Sequence, residues 1–434
     1  MARDPGGMSR RLLAAGVVAV ALALAGCASP SPGPRAGDAS GPGPRFSASG
    51  PDAAELGASD GYPPGDRASF FTIPRLVGSH SHLDEIFQAR TVRRAATPSR
   101  LVRAASEPAV RYEYEGRPAT VDDYLGRHLA TGLLIARDDT ILLERYQYGR
   151  HDRHRFTSWS MAKTVTSMLV GIAIAEGRIR SVDDRADTYV RELAGTEYGA
   201  TSLRHLLQMS SGVRFVEQYT GSDDVAQLSR DTFLGLGTGG IDAVRKYNER
   251  IAPGGTRFSY ASVETEVLGL VLTSATRRPV AEYLEQKIWQ PMGAEADATW
   301  LIDRSGQEVN YCCLNAVLRD YARLGLLLAH DGNWRGRQLI PADWVRDATS
   351  RHPQQRHLWP QVATPVLGYG YQVWLLPGER RQFAFLGVRG QSIFVDPQSR
   401  LVMVQTAVRK RPSGDPSARE TARLWQGVVE TLGK

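Results

Sequence analysis

The sequence predicts an α+β fold, in which one antiparallel sheet flanked by helices is built from both chain ends and a mainly helical lobe is inserted over about 161–355. Three observations lead there. Strand-like runs cluster before residue 150 and after residue 368, helical periodicity dominates between them, and a last amphipathic helix closes the chain. A folded region starting near residue 67 exceeds what one hydrophobic core normally organises, so two lobes sharing a cleft are expected.

Thr131 to Ala136 and Thr140 to Tyr148 flank Arg137-Asp138-Asp139, a hairpin signal. Residues 160 to 175, SMAKTVTSMLVGIAIA, are apolar around most of the helical circumference, which marks a helix buried in a core, with Thr157 and Ser158 as candidate caps. Later strands are expected at Tyr369 to Leu376, Gln382 to Leu386, Ser392 to Val395 and Leu401 to Thr406, with Asp396-Pro397 as a turn. The closing helix, Ser417 to Leu432, carries Ala418, Ala422, Trp425, Val429 and Leu432 along one stripe, suited to covering the sheet.

Before this domain, Arg10-Arg11 precede an apolar run of 14 residues from Leu12 to Ala25, short for a spanning helix but fitting a secretory signal. Its ending, Leu24-Ala25-Gly26-Cys27, resembles a bacterial lipobox. That resemblance implies a signal peptide over 1–26, lipidation of Cys27, a membrane anchor, and residence in the bacterial cell envelope. Residues 27–66 are rich in Ala, Ser, Pro and Gly and read as a disordered tether, which as a flexible coil would span on the order of 35 Å. The formal charge of +7 falls to +5 without the signal segment, and no basic stripe is interleaved with aromatic residues, so nucleic acid is not an expected partner.

Only five residues are lysine, against 48 arginines among the 53 basic side chains. Arginine keeps its proton in a protein, whereas a desolvated lysine can release one. Lys163 falls near the start of the buried helix, three residues after Ser160, so the serine hydroxyl and the lysine amine share a helix face. This is the arrangement of a nucleophile beside its base. The first helical turn favours negative charge, and the Ser160 N–H can serve as one oxyanion donor.

Several motifs in order then carry a family resemblance over nearly the whole chain after about residue 120. They are Ser160-Met161-Ala162-Lys163, Leu206-Leu207-Gln208-Met209-Ser210-Ser211-Gly212, Tyr260-Ala261-Ser262, Leu318-Arg319-Asp320-Tyr321-Ala322-Arg323-Leu324-Gly325, Gly368-Tyr369-Gly370-Tyr371, and Gly387-Val388-Arg389-Gly390-Gln391. The set resembles the serine β-lactamase and penicillin-recognising superfamily, closest to its class C related branch of carboxylesterases and 6-aminohexanoate-dimer hydrolase.

The resemblance implies a β-lactamase-like sheet and a serine hydrolase that acts on esters or linear amides through an acyl-enzyme on Ser160, without cofactor or metal. It gives Tyr260 a proton-relay role beside Lys163. The resting pair is either amine with phenol or ammonium with phenolate. Ser262 is expected to line the cleft or to cap a turn, and Tyr219 and Asn315 either contact substrate or serve structure. Gln391 N–H is the expected second oxyanion donor, and Gly390 is expected to let substrate approach the strand.

The largest departure is at the third motif, where β-lactamases carry Lys-Thr-Gly and this chain has Val388-Arg389-Gly390. Val388 cannot pair with an anion, which lowers β-lactamase and D-alanyl-D-alanine peptidase readings relative to ester or amide hydrolysis. A non-catalytic binding lipoprotein is the reading from a different class. Cys312 and Cys313 are adjacent and read as two small core residues, with a vicinal disulfide as the alternative; Ser79-His80-Ser81-His82 reads as a loop histidine pair rather than a metal site.

Overall fold

A computed structural model describes residues 41–433. The expected signal segment and Cys27 lie outside the described residues. The main sheet has nine strands, and its central path runs Thr140–Tyr146, Ala130–Arg137, Leu401–Ala407, Gln391–Asp396, Phe383–Gly387, Trp374–Leu375, Gly368–Tyr369. These neighbours are all antiparallel, and the strand that begins the C-terminal half of the path, Leu401–Ala407, pairs directly with Ala130–Arg137 from the N-terminal half. The sheet is therefore built from both chain ends, as expected. The run expected from Tyr369 to Leu376 is interrupted, forming two short strands around Gly370–Val373.

Side-chain alternation divides the sheet between two cores. Leu134, Ala136, Ile393, Val395, Val402 and Val404 face the larger core, while Leu133, Ile135, Phe394, Leu401 and Met403 face a smaller one. The helix Leu318–Ala329 lies against the first face. Gly325 permits that approach, since a Cβ there would stand 2.7 Å from Val402 Cγ1 and 2.8 Å from Ile393 Cγ2. The closing helix spans Ser417–Leu432 as expected, but its buried face is centred on Leu424, Trp425 and Val428, leaving Ala418 and Ala422 in solvent. The larger side chains decide the rotation: Trp425 stacks on Phe394 at 5.7 Å, and an alanine has little area to bury.

The inserted lobe is mainly helical. Besides Leu318–Ala329, two of its helices are buried over most of their length, Ala162–Ala175 from Ala162 through Ala173 and Ser262–Thr276 from Ser262 through Leu272. A second sheet of four short strands, Ala89–Val92, Ala298–Leu301, Leu314–Ala316 and Phe156–Thr157, leads into the first of these helices.

The tether expected over 27–66 is corrected for its described part. Arg45–Phe46 pairs in parallel with the strand Thr140–Tyr146, and Leu56 and Tyr62 are buried with Leu76, Val77, Tyr148 and Val408. A handful of apolar residues in a polar, Pro/Gly-rich stretch suffices here because the remainder of the domain supplies the surface they cover.

Candidate active site

The strand Phe156–Thr157 delivers the chain to a 3-10 turn, Trp159–Met161, that runs directly into the helix Ala162–Ala175. Ser158 does not cap that helix as expected. Its N–H donates to Leu314 O at 2.7 Å, and its hydroxyl accepts from Leu314 N at 3.1 Å, stitching the turn to the four-stranded sheet. Trp159 holds φ +42, an uncommon conformation for a side chain of that size and one of the kind found at functional sites.

Ser160 and Lys163 meet as the helical spacing predicts, with Lys163 Nζ 3.0 Å from Ser160 Oγ. The amine is buried and has two further partners, Ser262 Oγ at 3.0 Å and Tyr311 O at 2.8 Å. Burial pulls the Lys163 pKa down to about 8, against the opposing pull of Glu217 and Glu266. Tyr260 stands over the same group, its ring centroid 5.1 Å from Nζ, and Ser160 near its hydroxyl pulls its pKa down slightly. Its ring stacks on Trp374 at 5.3 Å. Burial, and secondarily Glu217, push the Tyr260 pKa up, which disfavours the phenolate; the phenol stands beside an ammonium below about pH 8 and beside the free amine above it.

Glu217 is the residue that sequence reading missed. Its carboxylate accepts from Ser262 Oγ at 2.8 Å, from Ser262 N at 2.7 Å and from Tyr219 Oη at 2.6 Å. It thus sits at the N-terminus of the helix Ser262–Thr276, where free N–H groups and the helix dipole favour an anion. Because Ser262 gives its proton to Glu217, its oxygen presents a lone pair to Lys163. Ser262 is therefore wired to the lysine, and Tyr219 reaches the site through Glu217.

Neutral lysine has two N–H bonds and one lone pair. Ser262 Oγ and Tyr311 O take the two N–H bonds, which leaves the lone pair for the Ser160 hydroxyl. The arrangement can remove a proton from Ser160 and hold it.

At the hairpin, the glycine against the nucleophile differs from the expected one. The hairpin residue against the nucleophile turn is Gly387, where a Cβ would lie 2.5 Å from Ser158 O and 3.1 Å from Trp159 Cβ. Gly390 instead has φ +95 and backs onto Arg409 and Ala407, so it does not open the strand to substrate beside Ser160. Gln391 lies opposite Gly387 in the ladder, with its side-chain amide bound to Ala407 O at 2.6 Å and its carbonyl to Ala407 N at 3.1 Å. The turn is three residues long, so the motif's apparent centre in sequence falls beyond the strand end that touches the site.

Asn315 is buried, and its amide donates to Thr299 Oγ1 at 3.2 Å and Cys313 O at 3.2 Å inside the four-stranded sheet, which favours its structural role. Cys312 and Cys313 form a disulfide rather than a pair of separate core thiols. Arg389 is committed elsewhere: its guanidinium donates to Arg409 O and Lys410 O, each at 2.8 Å, and lies over the Phe71 ring.

A part-exposed serine paired with a buried lysine at the head of a core helix, with a tyrosine over the pair and the end of an antiparallel strand beside it, defines a serine hydrolase of the penicillin-recognising fold. The chain belongs to the beta-lactamase family, whose sequence profile it matches over residues 118–426. It is similar to 6-aminohexanoate-dimer hydrolase of Paenarthrobacter ureafaciens, with 27% identity over 384 residues, covering 86% of this chain and 94% of that one. Among solved structures, a Bacillus anthracis protein provisionally assigned as a 6-aminohexanoate-dimer hydrolase superposes with a TM-score of 0.75 at 22% identity, covering 85% of this chain and 98% of that one. A family VIII carboxylesterase superposes with a TM-score of 0.53 at 19% identity, covering 71% and 94% of the two chains. The last two likenesses concern the fold.

Proposed function

We propose that this serine hydrolase cleaves ester or linear amide bonds through an acyl-enzyme on Ser160. The observation that carries the reading is the Lys163 amine, buried, pulled down to about 8, and left with its lone pair directed at Ser160 Oγ 3.0 Å away. In acylation, Ser160 Oγ attacks the carbonyl carbon and its proton passes to Lys163. The Tyr260 phenol protonates the leaving alkoxide or amine as the carbonyl–leaving-group bond breaks, and recovers a proton from the Lys163 ammonium. Water then repeats the sequence against the acyl-enzyme, with the amine as base.

The oxyanion is held by the Ser160 N–H and a hairpin N–H; beside the expected Gln391 N–H, the Val388 N–H is our candidate, because it directly follows the Gly387 that abuts the nucleophile turn. Esters and linear amides are preferred over β-lactams because the Lys-Thr-Gly cation is missing and Arg389 is committed to two main-chain carbonyls. The name of the Paenarthrobacter relative supports the amide branch. The N-terminal sequence supports export and a lipid anchor on Cys27, with the domain held at the cell envelope.

A side-by-side screen of p-nitrophenyl esters, linear ω-amino-acid amides, D-Ala-D-Ala peptides and a chromogenic cephalosporin tests the reading. Turnover of the first two classes is expected. Turnover confined to the cephalosporin or the D-Ala-D-Ala peptide contradicts the substrate class, and no turnover with no covalent labelling of Ser160 favours a binding protein.

A further inference from the structure

Tyr311 supplies one of the two acceptors that orient the Lys163 amine, and it does so through its backbone carbonyl, 2.8 Å from Nζ. A carbonyl has no rotamer. Its direction is set by the peptide plane it shares with Cys312 N–H, and hence by the conformation of the residues that follow. Those residues are Cys312 and Cys313, joined to each other by a disulfide.

The bridge closes a small ring around the Cys312–Cys313 peptide and removes independent rotation about ψ of Cys312 and φ of Cys313. Cys313 stands at φ +71, a region that residues other than glycine seldom occupy. The surrounding bonds anchor the same segment. Cys312 N donates to Val309 O at 3.2 Å, Cys312 O accepts from Trp300 Nε1 at 2.9 Å, and Cys313 O accepts from Leu301 N at 3.2 Å. Both cysteines are buried, at 3% and 0% exposure, so the ring lies inside the wall of the site rather than on the surface.

We propose that the Cys312–Cys313 disulfide is a positioning element for the catalytic base: it fixes the Tyr311 carbonyl that aims the Lys163 lone pair at Ser160, and opening it to two thiols slows acylation. This rests on the serine–lysine reading above. Opening is a two-electron reduction. A dithiol attacks one sulfur, the S–S bond breaks, both cysteines take up a proton, and the reductant leaves as a cyclic disulfide. The freed residues can relax from the ring-constrained conformation, the Tyr311–Cys312 peptide plane tilts, and one Lys163 N–H loses its acceptor. The lone pair then has no unique direction. Two separate core thiols would have no such effect.

The test uses the mature protein recovered from an oxidising compartment. Mass shift with a maleimide after unfolding counts free thiols before and after treatment with a dithiol, whose concentration is raised until two thiols appear. The oxidised enzyme should show none at Cys312 and Cys313. With a p-nitrophenyl ester, kcat should fall in proportion to the fraction carrying two thiols. The Cys312→Ala/Cys313→Ala variant should lose on the order of tenfold to a hundredfold in kcat, the scale of a misaligned catalytic group, with KM changed by less than about twofold and no further response to reductant.

Free thiols in the untreated enzyme would overturn the proposal, as would full kcat in either the reduced enzyme or the folded double variant. If the double variant fails to fold, the reductant titration of the wild-type chain decides alone. Activity independent of thiol content overturns the proposal there. Ser160→Ala separates the two readings: activity surviving in that variant removes the serine–lysine mechanism, whereas its loss together with reductant-insensitive wild-type turnover removes only the role of the bridge.

Discussion

Ser262 donates both its hydroxyl and its backbone N–H to the two oxygens of Glu217, at 2.8 and 2.7 Å. This pair of hydrogen bonds to one carboxylate links a helix N-terminus to the base of the reaction, since the same Ser262 oxygen lies 3.0 Å from Lys163 Nζ. Glu217 also favours the ammonium form of Lys163 through space. Removing its charge in Glu217→Gln should therefore lower the Lys163 pKa further and move the rising limb of kcat/KM to lower pH. kcat should fall as well, because an amide can offer its NH2 to Ser262 and spoil the lone-pair arrangement. An unshifted pH profile with unchanged kcat would detach Glu217 from the base.

Lys163 itself should give a rising pH profile. Its pKa near 8 means that the free amine, the form able to accept the Ser160 proton, becomes the majority species above that pH. Stability follows the same sign. A lysine held below its ordinary pKa costs stability while it is protonated in both states, and the cost is relieved as pH rises from about 8 to about 10.5. Lys163→Met should abolish turnover while gaining stability at pH 7, by at most about 3 kcal/mol from the relieved desolvation. Denaturant melts of both proteins at pH 7 and pH 10 check this, and the difference between them should shrink at the higher pH.

Tyr260→Phe keeps the ring stacked on Trp374 and over Lys163 but removes the hydroxyl. Loss of a general acid typically costs roughly 100- to 10,000-fold in rate. The loss should be larger for an anilide than for a p-nitrophenyl ester, whose leaving group needs no proton. Equal losses on both substrates would place Tyr260 outside leaving-group protonation.

Gly387→Ala tests the hairpin beside the nucleophile. The backbone there is extended, at φ −126, so alanine is conformationally allowed and only contact opposes it. The added Cβ would meet Ser158 O at 2.5 Å, forcing the nucleophile turn and the strand end apart. A fall of about tenfold to a hundredfold in kcat, with near-normal melting, is the expected outcome for a displaced oxyanion donor. Gly390→Ala should instead perturb packing against Arg409 and Ala407, showing mainly as lost stability.

Ser160, Lys163 and Tyr260 were legible in sequence because helical spacing and ordered motifs express them locally. The antiparallel sheet from both ends was legible for a similar reason, since short continuous apolar runs mark Ala130–Arg137 and Leu401–Ala407 whatever they pair with. Glu217 and the Tyr311 carbonyl were not. One is an acidic residue in a loop and the other a backbone oxygen, and both acquire their meaning only when the helix Ser262–Thr276 and the segment before Leu314–Ala316 converge on Lys163. The ordered stretch from Arg45 to Asp66 was read as tether because composition weighs average polarity, whereas Leu56 and Tyr62 suffice to anchor it on a surface the remainder of the fold provides. The oxyanion hairpin was read from Gly390-Gln391, but the tight turn places Gly387 rather than Gly390 against the nucleophile turn.

Intact-protein mass spectrometry after exposure to a fluorophosphonate, on the wild-type chain and on Ser160→Ala, tests the central claim most directly. One adduct per wild-type molecule is expected, mapped by peptide sequencing to Ser160 and formed faster as pH rises through about 8, with none on the variant. An unmodified Ser160 in folded wild-type protein, or equal labelling of the variant, would contradict it.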